Sequence, residues 1–248
     1  MPLTPTAPSM RIAEIYASLQ GEGMLAGTPT AFVRTSGCNL RCHWCDTPFT
    51  SWKPVGEEWS IERVCCAVEA LGLPHVVLTG GEPLLPADAG ELCASLREGG
   101  RHLTIETAGT ILPPAAAAET LADLLSISPK LASSAPPPDT PGGWHARHAA
   151  ARRCDDILVA MLRAPRWQLK FVVGSRADLD EVIAWLDDLE AALGPGKLPR
   201  GRVFVMPEGT TPTALQATTA WLATACAAEG LRLAPRHHIA WYGNRRGT

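Results

Sequence analysis

No run of roughly 18 apolar residues occurs anywhere in this sequence of 248 residues, which excludes a hydrophobic membrane-spanning helix. No signal-peptide core follows the proline-rich start MPLTPTAPSM, and residues 1–10 read as a loose leader. An excess of positive charge is missing too. The 22 Lys and Arg against 25 Asp and Glu leave a formal net charge of -3, which is not the basic footprint of a protein that coats nucleic acid. The only candidate for a local basic patch is RRGT at 245–248, and a solvated tail explains it equally well. Internal repeats of fixed period are absent. Eight cysteines are too few for a disulfide scaffold in a chain of this length, and without an export signal they should stay reduced. The expectation is a cytoplasmic protein with neither a nucleic-acid nor a membrane partner, whose clustered thiols serve as ligands.

What is present is the composition of a globular protein, 46% hydrophobic and 19% charged. The length suits one large domain, here 11–248. Short β-branched runs at 31–37, 75–81, 103–109, 123–129, 168–173 and 202–207 alternate with helical patterns at 61–71, 87–97, 115–121, 146–162, 177–193 and 212–229. Ser175 through Asp178 resembles a capping box, Thr211-Pro212 offers an N-cap with proline at the first helical position, and Gly194 is placed to end a helix. Strand–helix alternation over the whole chain predicts an α/β fold with crossover helices. About six parallel strands would make an incomplete (β/α) barrel or an open doubly wound sheet. The segment SSAPPPDTPGGW at 133–144 reads as a surface loop inside the domain.

The densest chemistry is SGCNLRCHWCDT, where Cys38, Cys42 and Cys45 are spaced C-x3-C-x2-C with no fourth cysteine nearby. Structural zinc normally takes four protein ligands. His43 is poorly placed to reach the same ion, and Cys65 and Cys66 could do so only if the loop folded back. An iron–sulfur cubane is also held by thiolates, and three of them leave one iron open to a small molecule. The spacing favours the cluster. Cys65, Cys66, Cys93, Cys154 and Cys226 sit in apolar or helical contexts and read as ordinary thiols.

Other motifs fall where predicted strands end: Thr79-Gly80-Gly81-Glu82-Pro83, then Glu106-Thr107-Ala108-Gly109, then Ser128-Pro129-Lys130. In a barrel, residues at the carboxyl ends of strands line the active face. Glycines there admit close backbone approach, and Glu82 can accept hydrogen bonds from an ammonium group. Glu106 and Lys130 could instead form a surface ion pair. Ahead of the cysteines, IYASLQGEG at 15–23 offers amide and carboxylate groups on a glycine-bent backbone. The residues alone leave open whether it edges a polar heterocycle or is a solvated turn.

The cysteine spacing after the first predicted strand, with Trp44 just before the third thiol, resembles the signature of radical S-adenosylmethionine enzymes. Together with SLQGEG, FVRTSGCNLRCHWCDT, TGGEP, ETAGT and SPK, nearly the whole chain from about position 11 is similar to the 7-carboxy-7-deazaguanine synthase family. This resemblance implies a 4Fe-4S cluster on Cys38, Cys42 and Cys45, with S-adenosylmethionine on its open iron. Gly81, Glu82, Glu106, Ser128, Pro129 and Lys130 should contact that cofactor. It implies Mg2+ at Thr47, an ion that keeps several waters and needs few protein ligands. Leu19, Gln20, Gly21, Glu22, Arg34 and Thr79 should meet the substrate, 6-carboxy-5,6,7,8-tetrahydropterin. A C-terminal tail over the pocket would add His238 and the Thr248 carboxylate.

The implied reaction abstracts hydrogen beside the carboxylate, contracts the ring, loses ammonia and regenerates S-adenosylmethionine, with a product destined for deazapurines such as queuosine. An electron donor such as flavodoxin and a homodimer are implied as partners. No general base can be named. Two rivals remain: a glycyl-radical activating enzyme, which would not need SLQGEG or the CDT threonine, and a zinc module, which TGGEP does not suit. Residues 133–167 match none of the family motifs; a lid, a dimer interface and a reductase-docking surface are all compatible with them.

Overall fold

The computed structural model describes residues 8–113 and 118–248. Its strands are β1 (Ser9–Leu19), β2 (Pro29–Thr35), β3 (Glu57–Ser60), β4 (His75–Gly80), β5 (His102–Thr107), β6 (Leu124–Ile127), β7 (Trp167–Val173), β8 (Val203–Pro207) and β9 (Arg232–Leu233). They form one sheet in the order β3-β1-β2-β4-β5-β6-β7-β8-β9. From β2 to β9 every neighbouring pair is parallel, while β1 runs antiparallel to both β2 and β3. The six β-branched runs of the sequence are β2 and β4 to β8. Val76, Val77 and Leu78 are all fully buried, so the central strand β4 is covered on both faces. Among the described residues the end strands β3 and β9 do not pair with each other, so the barrel is incomplete.

The helices are α1 (Pro48–Ser51), α2 (Ile61–Ala70), α3 (Ala89–Glu98), α4 (Ala118–Leu121), α5 (Trp144–Ala151), α6 (Asp155–Leu162), α7 (Arg176–Leu193), α8 (Pro212–Ala228) and α9 (His237–Tyr242). Helix α7 starts in the expected capping box: Ser175 Oγ accepts from the Asp178 N–H, and Asp178 accepts from the Ser175 N–H. Its apolar stripe carries the fully buried Trp185 onto Phe171 of β7, with ring centroids 5.9 Å apart. Thr211 caps α8 through the Ala214 N–H.

Several expectations need correcting. Ser9 and Met10 belong to β1 rather than to a leader, and Met10 is buried in the core; residues 1–7 lie outside the described residues. The long strand β1 escapes a reading by alternation because a register shift between Ile12 and Glu14 breaks its period of two. The helical pattern at 146–162 is two helices, interrupted where Cys154 takes a non-helical conformation (φ -130, ψ 76). The helix expected at 115–121 is described only as α4, since 114–117 lie outside the described residues. The 133–144 loop is not all surface: Ser134 is fully buried.

At the amino ends of the strands, away from the cysteines, the buried His75 is held between Thr30 Oγ1 at 2.7 Å and Thr104 Oγ1 at 2.9 Å. Burial, helped by the neighbouring His102, pushes its pKa down to about 4. The unfolded chain therefore binds a proton here that the folded chain refuses as pH falls from about 6.5. Stability should be full above that value and decline toward pH 4, and His75→Gln should flatten this limb in urea unfolding. An unchanged slope would show that His75 does not set it.

Candidate active site

The carboxyl ends of the parallel strands open into a cavity of about 500 Å³, within the usual range for small-ligand sites. Cys38, Cys42 and Cys45 all line it. Their loop leaves β2 through Gly37, whose φ of +111 favours glycine. It is pinned by Gly37 N–H to Thr50 O at 2.8 Å, Trp52 Nε1 to Cys42 O at 2.9 Å, and the Arg41 guanidinium to Cys38 O at 2.7 Å.

The segment that matched no family motif holds this loop from outside. His43 N–H donates to Ser134 O at 3.0 Å, and Arg41 N–H donates to His148 Nδ1 at 3.1 Å. Because Nδ1 accepts, Nε2 carries the proton and donates to Ser134 Oγ at 2.8 Å, which in turn donates to Leu131 O. Burial pushes the His148 pKa down to about 4, consistent with this neutral tautomer. The guanidinium carbons of Arg41 and Arg147 lie over the Trp144 ring, 4.0 and 3.9 Å from its centroid.

Burial drives the Cys38 thiol up to about 12 and the Cys42 thiol up to about 11, so a proton must be displaced by something that binds sulfur strongly. Among the described residues, no three His, Cys, Asp or Glu side chains converge on one metal ion. A single zinc draws its thiolates to about 2.3 Å. A multi-iron cluster spreads them over a larger body, and the donor set fits that group. Trp44 lines the same cavity with its Nε1 buried and unpartnered among the described residues, an orphaned donor that a bound group would take up.

Beside the thiols, Gly80 (φ +144) and Gly81 end β4. A Cβ at Gly81 would sit 2.1 Å from Gly37 O and 2.9 Å from Cys38 Cβ, so the two loops touch only because that atom is missing. Glu82 departs from the expectation of direct cofactor contact. It is fully buried off the cavity, and its carboxylate accepts from Thr107 Oγ1 at 2.7 Å, Ala108 N–H at 2.9 Å and Leu84 N–H at 3.1 Å. It staples the ends of β4 and β5 together. Pro129 is likewise buried away from the cavity, whereas Ser128 and Lys130 face it, with Lys130 Nζ donating to Ser128 Oγ at 2.8 Å.

The opposite wall is a network of buried charge. Glu106 does not pair with Lys130, as a surface ion pair would have it. It accepts from Lys170 Nζ at 3.0 Å, Gln20 Nε2 at 3.2 Å and Thr79 Oγ1 at 3.3 Å. Lys170 also donates to Glu22 at 3.0 Å. Arg236 reaches Glu22 at 3.2 Å and Asp46 at 2.5 Å, joining the QGEG turn to the residue after the third cysteine. Burial opposes the Glu22 charge, but Lys170 and Arg236 overcome it and hold the carboxyl well below its ordinary range. Burial likewise opposes the charge on Lys170, and Glu106 and Glu22 reverse the sign and raise its pKa.

The remaining expected residues are here as well. Leu19, Gly21, Arg34, Thr47, His238 and Thr248 all line the cavity. The tail crosses it in α9: His237 N–H donates to Gly21 O at 3.0 Å, and a Cβ at Gly21 would strike His238 at 2.7 Å. Lys170 and Arg236 were not singled out from the sequence. A lysine within the apolar strand run QLKFVV was the available signal for the first; nothing local marks the second.

A family model described as the radical SAM superfamily matches residues 32–135. A 7-carboxy-7-deazaguanine synthase from Rhodopirellula baltica is 42% identical over 241 residues, covering 97% of this chain and 89% of its own. The enzyme of the same name from Halobacterium salinarum is 43% identical over 246 residues, with 97% and 93% covered. Among solved structures, QueE from Escherichia coli superposes with a TM-score of 0.64 at 26% identity, over 93% of this chain and 95% of that one.

Proposed function

The chain belongs to the 7-carboxy-7-deazaguanine synthase family of radical S-adenosylmethionine enzymes, and from that premise we propose how its cavity serves the family's reaction. The activity is the radical ring contraction of 6-carboxy-5,6,7,8-tetrahydropterin to 7-carboxy-7-deazaguanine, with release of ammonia, in queuosine biosynthesis. A glycyl-radical activating enzyme is not favoured by these relatives. The observation that carries the reading is the meeting, in one cavity, of three thiols with a buried set of polar groups from the QGEG turn, β5 and β7.

A 4Fe-4S cluster on Cys38, Cys42 and Cys45, with S-adenosylmethionine at its open iron, supplies a 5'-deoxyadenosyl radical when bound. The chain's own residues bind and orient. Gly81, Glu106, Ser128 and Lys130 surround the cofactor; Glu82 and Pro129 act behind them, by fixing the strand ends. Gln20 and Glu22, with Leu19, Gly21 and Thr79, read the edge of the pterin through complementary amide, carboxylate and hydroxyl groups. Arg34 pairs with the substrate carboxylate. The tail, through His238 and Thr248, excludes water from the cavity it lines. Thr47, on the cavity wall, would lend its hydroxyl to Mg2+, an ion that keeps several waters and would supply electrostatic stabilisation at a substrate carboxylate. No side chain is assigned as a general base.

An electron donor such as flavodoxin, a homodimer and a cytoplasmic location complete the reading on family resemblance. No helix among the described residues is long and apolar enough to cross a membrane.

The test is anaerobic turnover of reconstituted protein with the pterin, S-adenosylmethionine, dithionite and Mg2+, followed by mass spectrometry. Many equivalents of 7-carboxy-7-deazaguanine should form with little S-adenosylmethionine consumed. Accumulation of 5'-deoxyadenosine over untouched pterin would overturn the substrate. Omitting Mg2+ should lower kcat/KM of the native protein and leave Thr47→Ala unaffected; equal sensitivity in both would remove Thr47 from the metal.

A further inference from the structure

Arg34 does not stand alone at the cavity wall. Glu14 lies directly opposite it across the β1–β2 ladder, and Glu14 Oε1 accepts from Arg34 Nε at 2.7 Å. Arg34 Nη2 donates to Tyr16 Oη at 2.7 Å, and Tyr16 is itself fixed by stacking on Phe32 at 5.1 Å and 10°. Nη1 is the guanidinium nitrogen these bonds leave unclaimed among the described residues. The second Glu14 oxygen accepts from Arg246 Nε at 2.8 Å, from the tail beyond α9. Arg246 also donates to Ala13 O at 2.8 Å and lies 4.5 Å over the Phe49 ring, two residues after Thr47. One largely buried carboxylate thus serves two arginines, one in the sheet and one in the tail.

We propose that Glu14 is a positioning residue that couples closure of the C-terminal tail to the aim of Arg34. The aiming half rests on the reading of Arg34 as the group that meets the substrate carboxylate. With Nε and Nη2 tied, the guanidinium of this cavity-lining residue cannot rotate, and Nη1 is the nitrogen left for a ligand. Two cations on one anion leave a single net positive charge there, which suits one incoming carboxylate. Arg246 balances the second oxygen, so when the tail leaves, Glu14 is free to turn side-on to Arg34, across Nε and Nη2, and to displace Tyr16 from the guanidinium. Tail closure and a correctly presented Arg34 are then two aspects of one arrangement.

The test compares Glu14→Gln, Arg246→Met and the double variant as reconstituted holoenzymes, reading the pterin KM and kcat alongside hydrogen exchange of the tail peptide 240–248. Each single change should raise KM about tenfold, the factor expected of one charge-assisted hydrogen bond, with kcat much less affected. The double variant should be no worse than Glu14→Gln alone, because both act through one carboxylate. Tail exchange should accelerate in both single variants, including in the absence of pterin. Multiplying KM effects, or a tail as protected in Glu14→Gln as in the native chain, would overturn the coupling. Arg246 is half exposed, so its replacement keeps the test alive if Glu14→Gln folds poorly. Arg34→Met separates the two ideas. An unchanged pterin KM there removes the aiming role along with the substrate reading, while faster tail exchange in Glu14→Gln would still establish the latch.

Discussion

Lys170→Met is expected to lower turnover by about two orders of magnitude or more and to reduce the free energy of unfolding by about 3–5 kcal/mol, the range for breaking a buried ion pair from one side. The ammonium has 3% of its side chain exposed and lies 3.0 Å from both Glu22 and Glu106. Removing it leaves two carboxylates facing each other across a low-dielectric wall, one of them still beside Arg236. Glu22, now held ionised largely by Lys170, would revert toward the raised pKa that burial imposes. In the native chain the depressed Glu22 contributes stability that is full above the ordinary carboxylate pKa and is lost as pH falls below it; in the variant, with that pKa raised to or above the ordinary value, the contribution disappears and the acid limb of stability flattens. The acid limb of the pH–activity profile should move to higher pH. Urea unfolding and a kcat/KM profile between pH 5 and 8 measure both, and native values of either would remove Lys170 from the centre of this network.

Gly81→Ala should be nearly as damaging, for a steric rather than an electrostatic reason. Its Cβ would meet Gly37 O at 2.1 Å, and because that neighbour is backbone, one of the two loops must move. Gly37 is anchored to Thr50, so the displacement passes to Cys38, the next residue. Iron and sulfide content after reconstitution should fall well below one cluster per chain, with weak thiolate-to-iron absorption and turnover lower by about a hundredfold or more, the scale of a roughly 1 Å misplacement at a reacting centre. Gly201→Ala is the control, since nothing lies within 4 Å of its would-be Cβ. A fully loaded, active Gly81→Ala protein would mean that the two loops are not in the contact described.

The sequence was most legible where structure is local. Continuous β-branched runs marked the parallel strands, Ser175 and Thr211 announced their helices, and C-x3-C-x2-C needs only eight residues to declare itself. Strand β1 was hidden by its bulge, and β3 and β9 by their brevity. The charged wall was illegible for a different reason. Lys170 and Glu22 are 148 residues apart, Arg236 and Glu22 are 214 apart, and Arg246 and Glu14 are 232 apart. No window along the chain contains both members of any of these pairs. Glu82 misled in the opposite way: it lies in a recognisable motif, yet sequence could not reveal that Thr107, Ala108 and Leu84 occupy its carboxylate.

The seam of the incomplete barrel has a consequence for how the protein is made. Among the described residues no strand pairing joins β9 back to β3; residues 236–246 are instead tied to the first strand and the turn that follows it, through Arg236 to Glu22, His237 to Gly21 and Arg246 to Glu14. Contacts between such distant residues close a very large loop and form late. On the ribosome, the cysteine loop and the parallel strands can assemble while the pocket still lacks its last wall. A chain that stops before residue 236 would therefore keep the cysteine loop but lack the contacts of Arg236, His237 and Arg246 that close the cavity.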